Sequence, residues 1–118
     1  MMDEVFEQVV VRTAPREKTG TGTDTRPKRQ PPYAVILHND PVNGFDYVVG
    51  VLCKVFGYSK PKSFRLTLTA HLMGRSTVWV GALEVAEFKA EQLRACGPDP
   101  RIKEGGSALG VSLEPLPV

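Results

Sequence analysis

The chain has 118 residues, of which 42% are hydrophobic and 24% charged, and its formal net charge is +2. This composition predicts one ordinary globular domain and excludes collagen-like and wholly disordered chains. The charge is too small to indicate a nucleic-acid partner or a membrane surface. No apolar run approaches the roughly 20 residues of a membrane-spanning helix, and the acidic start MMDEVFEQ does not have the pattern of a signal peptide. We therefore expect a cytoplasmic protein.

The N-terminal part of the chain has little that could pack into a core. Residues 13–31 contain no bulky apolar side chain, so burial there cannot offset the conformational entropy lost on ordering. Ahead of them, Val5 to Val11 hold a short apolar island that is too small to be stable alone. The sequence thus predicts a flexible N-terminal extension over residues 1–31 and a core domain over residues 32–118.

The core domain begins with a predicted strand and a predicted helix. The apolar, β-rich run from Tyr33 to Leu37 predicts a buried strand, and the residues at 38–41 favour a turn. Asn43 is expected to cap the helix that follows, with Asp46 near its positive end and Gly57 at its end. Its apolar residues recur at three- and four-residue steps: Phe45, Val48, Val49, Leu52, Val55 and Phe56.

The next segment, Phe64 to Leu72, carries two conflicting signals. Its apolar residues alternate strictly, which favours a strand. Its flanks favour a helix, because Ser59 suits a helix cap, Pro61 suits a first turn and Gly74 suits a C-terminal cap. We predict a helix here, largely because of the family resemblance described below.

Two more strands and a third helix complete the predicted domain. Ser76 to Val80 is β-branched and aromatic, which predicts a strand. Leu109 to Leu113 predicts a last strand with one buried and one exposed face. Between these strands the sequence predicts a helix that ends before Gly97. A row of apolar residues defines its buried face, and further apolar residues are expected to widen that face. The row is Leu83, Ala86, Ala90 and Leu93, and the widening residues are Val85, Phe88 and Cys96.

The two cysteines, Cys53 and Cys96, lie far apart and outside any Cys-x-x-Cys motif or cluster of metal ligands. In a chain without secretory features this pattern favours free thiols over a disulfide. It indicates neither a zinc site nor another metal cofactor.

From residue 38 the chain reads HNDPVNGFDYVVGVLCKVFGYSKPKSFRLTLTAHLMGR, then VWVGALEVAEFKAEQL, then LGVSLE. In order and spacing these motifs resemble the ClpS adaptor family over nearly all of residues 33–114. The resemblance implies an α/β fold of the α+β sandwich type, with three helices packed on a three-stranded antiparallel sheet. It also implies an adaptor without catalytic activity or cofactor. Such an adaptor binds the bulky hydrophobic N-terminal residue of a substrate, its N-degron, and delivers the substrate to a ClpA- or ClpC-type AAA+ unfoldase. We expect a monomer.

The resemblance also assigns roles to individual residues. Asn39, Asp40 and His71 would hold the substrate's α-amino group, which is mostly charged at pH 7 and needs converging acceptors. Glu84 and Lys89 fall on the family's unfoldase-docking helix. The side-chain pocket would be lined by Phe45, Val48, Thr67, Ala70 and Leu109.

The chain departs from the common family pattern at several of these positions. Pro41 stands where many members have a second aspartate, so one carboxylate near the amine is missing. Phe45 replaces a methionine, and Thr67 and Ala70 replace the common methionine and valine. Because phenylalanine is rigid where methionine adapts, these changes predict a wider but stiffer pocket with an altered ranking of Leu, Phe, Tyr and Trp.

Other interpretations of the same residues stay open at this point. The Asn39-Asp40-Pro41 segment is also typical of a simple turn, and His71 is also typical of a structural histidine. An enzyme with Cys53 as nucleophile lacks a glycine turn of the oxyanion type and a demonstrated base. The main alternative is a small nucleic-acid-binding or other protein-interaction module with a basic tail. Its basic residues are not interleaved with aromatic side chains.

Overall fold

A computed structural model describes residues 30–117, which form three strands and three helices. The predicted sandwich of three helices and a three-stranded antiparallel sheet is confirmed. All but the last two residues of the predicted extension, 1–31, lie outside the described residues. In chain order the elements are β1 (Tyr33–His38), α1 (Phe45–Phe56), α2 (Lys60–Met73), β2 (Arg75–Gly81), α3 (Leu83–Ala95) and β3 (Val111–Pro115).

The sheet is built around β1, which lies between β2 and β3 and is antiparallel to both. The central position explains the continuous apolar run, because residues 34–37 are buried on both faces of the sheet. The register with β2 shifts between Val35 and Ile36, which pair with Trp79 and Thr77 and leave Val78 as the extra residue. The carboxyl end of β1 leads directly into the loop of residues 39–44.

The first helix begins where the sequence predicts, but Asn43 does not cap it. Gly44 is the N-cap residue of α1 and supplies no side-chain cap. The prediction for Asn43 is wrong because its side chain is buried and bonds to more distant parts of the chain. Asp46 lies in the first turn, and Gly57 ends the helix in the left-handed conformation with φ 73°, both as predicted.

The helix predicted from the conflicting segment is confirmed as α2. The Ser59 side chain accepts a hydrogen bond from the Lys62 N–H, Pro61 lies in the first turn, and Gly74 closes the helix with φ 93°. The buried positions follow helical spacing and are small or polar for the most part: Ser63, Leu66, Thr67 and Ala70. Of the bulky apolar residues in the alternating pattern, Leu66 is buried whereas Phe64 and Leu72 are exposed, so the alternation does not describe the buried face.

The third helix is narrower in its buried face than predicted. Ala86, Ala90 and Leu93 are buried in α3, as the apolar row predicts. Val85 is 42% exposed and Phe88 is 60% exposed, so the prediction that they widen the buried face is wrong.

The last strand begins later than predicted, at Val111. Leu109 is buried as expected but precedes the strand. The predicted alternation is absent from β3, where Val111, Ser112 and Leu113 are all half-buried. β3 is an edge strand that pairs with β1 along one side. Arg94 of α3 donates a hydrogen bond to the Val111 carbonyl.

The main core lies between the helices and one face of the sheet. It includes Leu37 of β1, Leu52 of α1, Leu66 of α2 and Leu93 of α3. At its border the Tyr58 hydroxyl donates to the Val78 carbonyl at 2.7 Å, and burial raises the pKa of Tyr58 to about 12. The core thus fixes the ends of β1, α1 and α2 relative to one another.

We expect Leu93→Ala to lower the free energy of unfolding by about 2–5 kcal/mol, because it removes buried apolar contacts and leaves a cavity. Phe88→Ala, on the same helix, is the matched control and should change it by less than about 1 kcal/mol, since this ring is largely exposed. Equilibrium unfolding in urea measures both. Equal losses in the two variants would place Phe88 in the core after all.

Candidate ligand-binding site

A cavity of about 350 Å³ opens where the end of β1, the 39–44 loop, the start of α1 and the middle of α2 meet. Its volume is at the lower end of the range for small-molecule sites. Seven of the eight residues predicted to bind the substrate line it. The lining residues are Leu37, His38, Asn39, Asp40, Pro41, Val42, Asn43, Gly44, Phe45, Val48, Thr67, Ala70 and His71.

The interior of the cavity is mainly apolar. Val48 of α1 and Ala70 of α2 are buried there, and Phe45 forms part of the wall. Thr67 is polar by type, but its hydroxyl donates to the Ser63 carbonyl one turn earlier at 2.8 Å. Because the donor of Thr67 is already used within the helix, the cavity presents surfaces suited to an apolar side chain.

Two polar side chains at the cavity form no hydrogen bond to the described part of the chain. Asn39 and His71 are both exposed, and each lines the cavity. The backbone N–H of Asn39 donates to the Gly74 carbonyl, and the His71 ring lies 6.4 Å from the Phe45 ring, centroid to centroid. Within residues 30–117, the Asn39 amide and the His71 imidazole have no hydrogen-bond partner. Both can therefore bond to a ligand without breaking a hydrogen bond to any residue that the structure describes.

Asp40 shapes the loop from which Asn39 projects. Its Oδ1 atom accepts from the backbone N–H groups of Val42 and Asn43, at 2.9 and 3.0 Å, and its Oδ2 atom accepts from the Asn43 amide. A carboxylate can accept about four hydrogen bonds. Asp40 thus holds the turn and still brings a negative charge to the cavity.

The loop is anchored by a buried polar contact that the sequence did not predict. Asn43 and Asp99 are 5% and 2% exposed. The Asp99 backbone N–H donates to Asn43 Oδ1 at 2.8 Å, and Asn43 Nδ2 donates to the Ser107 carbonyl at 2.9 Å. No local pattern reveals this pairing, because the two residues are 56 positions apart.

Asp99 also takes over the capping of α1. Its Oδ2 atom accepts from the Gly44 N–H at 3.2 Å, and Arg101 donates to both carboxylate oxygens. A Cβ atom at Gly44 would lie 2.9 Å from Asp99 Oδ2, so only glycine allows this close approach. The hydrogen bonds from the side chain and backbone of Arg101 hold the pKa of the Asp99 carboxyl below its usual range.

Leu109 is the one predicted pocket residue that does not line the cavity. It is buried in the main core. The neighbouring Gly110 carbonyl accepts a hydrogen bond from the His38 N–H, at the end of β1. Leu109 therefore packs behind the site, in the layer that supports β1.

The two predicted docking residues lie on different sides of α3. Glu84 lines a groove of about 470 Å³ between α3 and β3, together with Glu87, Phe88 and Glu91. The Lys89 ammonium lies 5.6 Å from the centre of the Phe56 ring, on the side of α1. Five residues on a helix rotate about 140°, which explains the separation.

Three further features of the described residues concern the cysteines, the potential metal ligands and the length of the helices. Cys53 and Cys96 are free, as predicted. Across residues 30–117 there is no group of three or more potential metal-ligating side chains. In the same part of the chain, no helix has the length and apolar content to cross a membrane.

Comparison with known proteins identifies this architecture. The family model of the ATP-dependent Clp protease adaptor protein ClpS matches residues 28–98. The chain belongs to the ClpS family. As a member, it is a non-catalytic adaptor protein of the ATP-dependent Clp protease, as its motifs predict.

Individual ClpS proteins match most of the chain. The ClpS adapter protein of Mycobacterium marinum is 36% identical over 92 aligned residues, covering 75% of this chain and 91% of that protein. ClpS 2 of Rhizobium meliloti is 41% identical over 93 aligned residues, which cover 77% of this chain and 87% of that protein. Agrobacterium tumefaciens ClpS2, solved bound to L-phenylalaninamide, is similar with a TM-score of 0.65 and 34% identity. That match covers 75% of this chain and all of the solved one.

The low pKa of Asp99 predicts a pH-dependent contribution to stability. A carboxyl whose pKa is lower in the folded state stabilises the fold above its unfolded pKa, about 3.9, and loses this effect as the pH falls through the folded value. We expect Asp99→Asn to be less stable than the wild type at pH 7, with a difference that shrinks below about pH 4.

Urea unfolding of both proteins between pH 7 and pH 2.5 measures this difference. Glu104→Gln is the matched control, since Glu104 lies exposed in the same segment. A gap between wild type and Asp99→Asn that is constant with pH would show that the ionised carboxylate does not stabilise the loop.

Proposed function

We propose that the cavity at the 39–44 loop binds the N-terminal residue of substrate proteins when that residue is bulky and hydrophobic. The observation that carries the proposal is the position of Asn39 and His71 at an apolar cavity, where neither side chain has a hydrogen-bond partner among residues 30–117. The ClpS2 protein of Agrobacterium tumefaciens was solved with L-phenylalaninamide, which combines an aromatic side chain with a free α-amino group. The same two chemical features suit this cavity.

The polar side chains match the needs of an α-amino group. A charged amine carries three donors, and Asn39 Oδ1 and an imidazole nitrogen of His71 can each accept one of them. Asp40 adds a negative charge next to them, although its oxygens also hold the loop. Hydrogen bonds to a charged group contribute about 1.5–3 kcal/mol each. A peptide whose amine is blocked loses these bonds.

The apolar interior matches the side chain of the same residue. Full burial of a large apolar side chain contributes about 1.5–3 kcal/mol. Together with the amine bonds this supports affinity in the range of about 1 μM. The loop is held by buried contacts before a ligand arrives, so little ordering free energy is lost on binding.

Delivery to an unfoldase is the second part of the proposal. We infer that the chain acts as a monomer in the cytoplasm and serves a ClpA- or ClpC-type unfoldase. Glu84 and Lys89 are the proposed docking residues, of which Glu84 is exposed and Lys89 half-buried on another side of α3. Residues 1–31 form the proposed extension that engages the unfoldase, separate from the core domain over residues 32–118.

We expect Asn39→Ala and His71→Ala each to weaken binding of a Phe-initiated peptide about 10- to 150-fold, through loss of a bond to the charged amine. Fluorescence anisotropy or calorimetry measures the affinity. Thr69→Ala, an exposed position on α2 outside the cavity, is the control and should bind like the wild type.

The same titrations include the N-acetylated peptide, for which we expect no measurable binding. Equal affinity for free and acetylated peptides would contradict amine recognition. A steep loss of affinity for nucleic acid with added salt would instead support the alternative of a nucleic-acid-binding module.

We expect deletion of residues 1–29 to leave peptide affinity unchanged, because every residue at the cavity is retained. Delivery should be lost, because the segment proposed to engage the unfoldase is gone. Degradation of an N-degron reporter by the unfoldase and its protease, with and without the deletion, measures this. Equal degradation rates would exclude a role for the extension.

A further inference from the structure

The Phe45 ring, which forms part of the cavity wall, has an aromatic contact with a residue outside the cavity. The ring of Phe64 lies 5.1 Å from the Phe45 ring, centroid to centroid, with 61° between the ring planes. Phe64 does not line the cavity. It faces a groove on the other side of the helix pair, together with Asp46, Val49, Gly50, Lys60 and Pro61.

Phe45 lies between two residues of the same helix face. Phe64 and His71 are seven positions apart on α2, which places them on one face with a rise of about 10.5 Å between them. The Phe45 ring meets His71 at 6.4 Å and 85°, an edge-to-face contact like the one with Phe64. Each neighbour limits one direction in which the Phe45 ring could move.

Phe64 contributes little to the core. Its side chain is 48% exposed, and it does not belong to the main core cluster or to the residues packed on it. Its ring contact within the described residues is with Phe45. The effect of Phe64 is thus concentrated on the position of the Phe45 ring.

We propose that Phe64 is a specificity-determining residue that acts through Phe45. By fixing the Phe45 ring, it gives the cavity a rigid aromatic wall. An aromatic ligand side chain can meet a fixed ring edge to face, whereas the branched side chain of leucine fits better against a wall that adapts. Phe64 thereby favours aromatic over leucine N-terminal residues. This inference rests on the proposed function of the cavity.

The test compares the affinities of Phe- and Leu-initiated peptides that are otherwise identical, each with its N-acetylated form. In Phe64→Ala we expect the ratio of the Leu to the Phe dissociation constant to fall by about three- to tenfold, mainly through weaker binding of the Phe peptide. Phe64→Tyr keeps the ring and should keep the ratio. Phe88→Ala removes an exposed phenylalanine of α3 that lines the groove between α3 and β3, not the cavity, and should also keep the ratio.

The NMR signals of the Phe45 ring report the mechanism directly. In Phe64→Ala they should show increased ring mobility, and in Phe64→Tyr they should match the wild type. If Phe64→Ala does not fold, Phe64→Leu carries the test, since it keeps apolar volume without a ring and should lower the ratio in the same way.

The outcomes separate the two proposals. If the ratio of the Leu to the Phe dissociation constant is unchanged in Phe64→Ala, including through an equal loss of affinity for both peptides, the proposed role of Phe64 is overturned. Binding that still depends on a free amine would in that case continue to support the proposed function. A wild-type protein that binds neither peptide, or binds the acetylated forms equally well, overturns the proposed function and this inference with it.

Discussion

The hydrogen bond between the Asp99 backbone and the Asn43 side chain is the contact on which the site depends. It ties the 39–44 loop to a segment that follows α3. Both residues are buried, where an unpaired polar group is costly and a paired one is strong. Arg101 compensates the charge of Asp99, and the Asp99 carboxylate in turn holds the first N–H at the start of α1. The positions of Asn39 and Phe45, at the two ends of this loop, follow from that anchor.

The polar residues of the site fall into two groups with different tasks. Asn43 and Asp99 are buried, and protein groups use their hydrogen-bonding atoms. Asn39 and His71 are exposed beside an apolar cavity, and no residue within 30–117 uses the hydrogen-bonding atoms of their side chains. This division suits an adaptor, since the protein needs to hold a ligand without transforming it. The buried group maintains the geometry, so that the exposed group can bind with little loss of conformational entropy.

The cavity has room for a ligand because the two buried residues of α2 that line it, Thr67 and Ala70, are small. Ser63, Thr67 and Ala70 face inward, and Ser63 lies close enough to α1 for its hydroxyl to contact the Cys53 thiol at 3.3 Å. Larger side chains at 67 and 70 would occupy the space of the cavity. The sequence of α2 has no clear apolar stripe at helical spacing, because bulky residues such as Leu72 and Met73 are exposed. Small buried residues such as Thr67 and Ala70 thus weaken the helical pattern in the sequence and also leave room for the cavity.

The sequence by itself determined the elements whose signals are local. The caps at Ser59 and Gly74 act within one turn and indicate the ends of α2. The resemblance of the motif order to the ClpS family pointed to Asn39 and His71 as neighbours, and both line the cavity. Tertiary structure alone decided the rest: the anchoring of Asn43 by Asp99, the fixing of Phe45 by Phe64, and the position of Leu109 behind the cavity. These contacts join residues on separate elements. Which side chain fills which space there depends on the packing of helices against the sheet, and no periodicity along the chain encodes that packing.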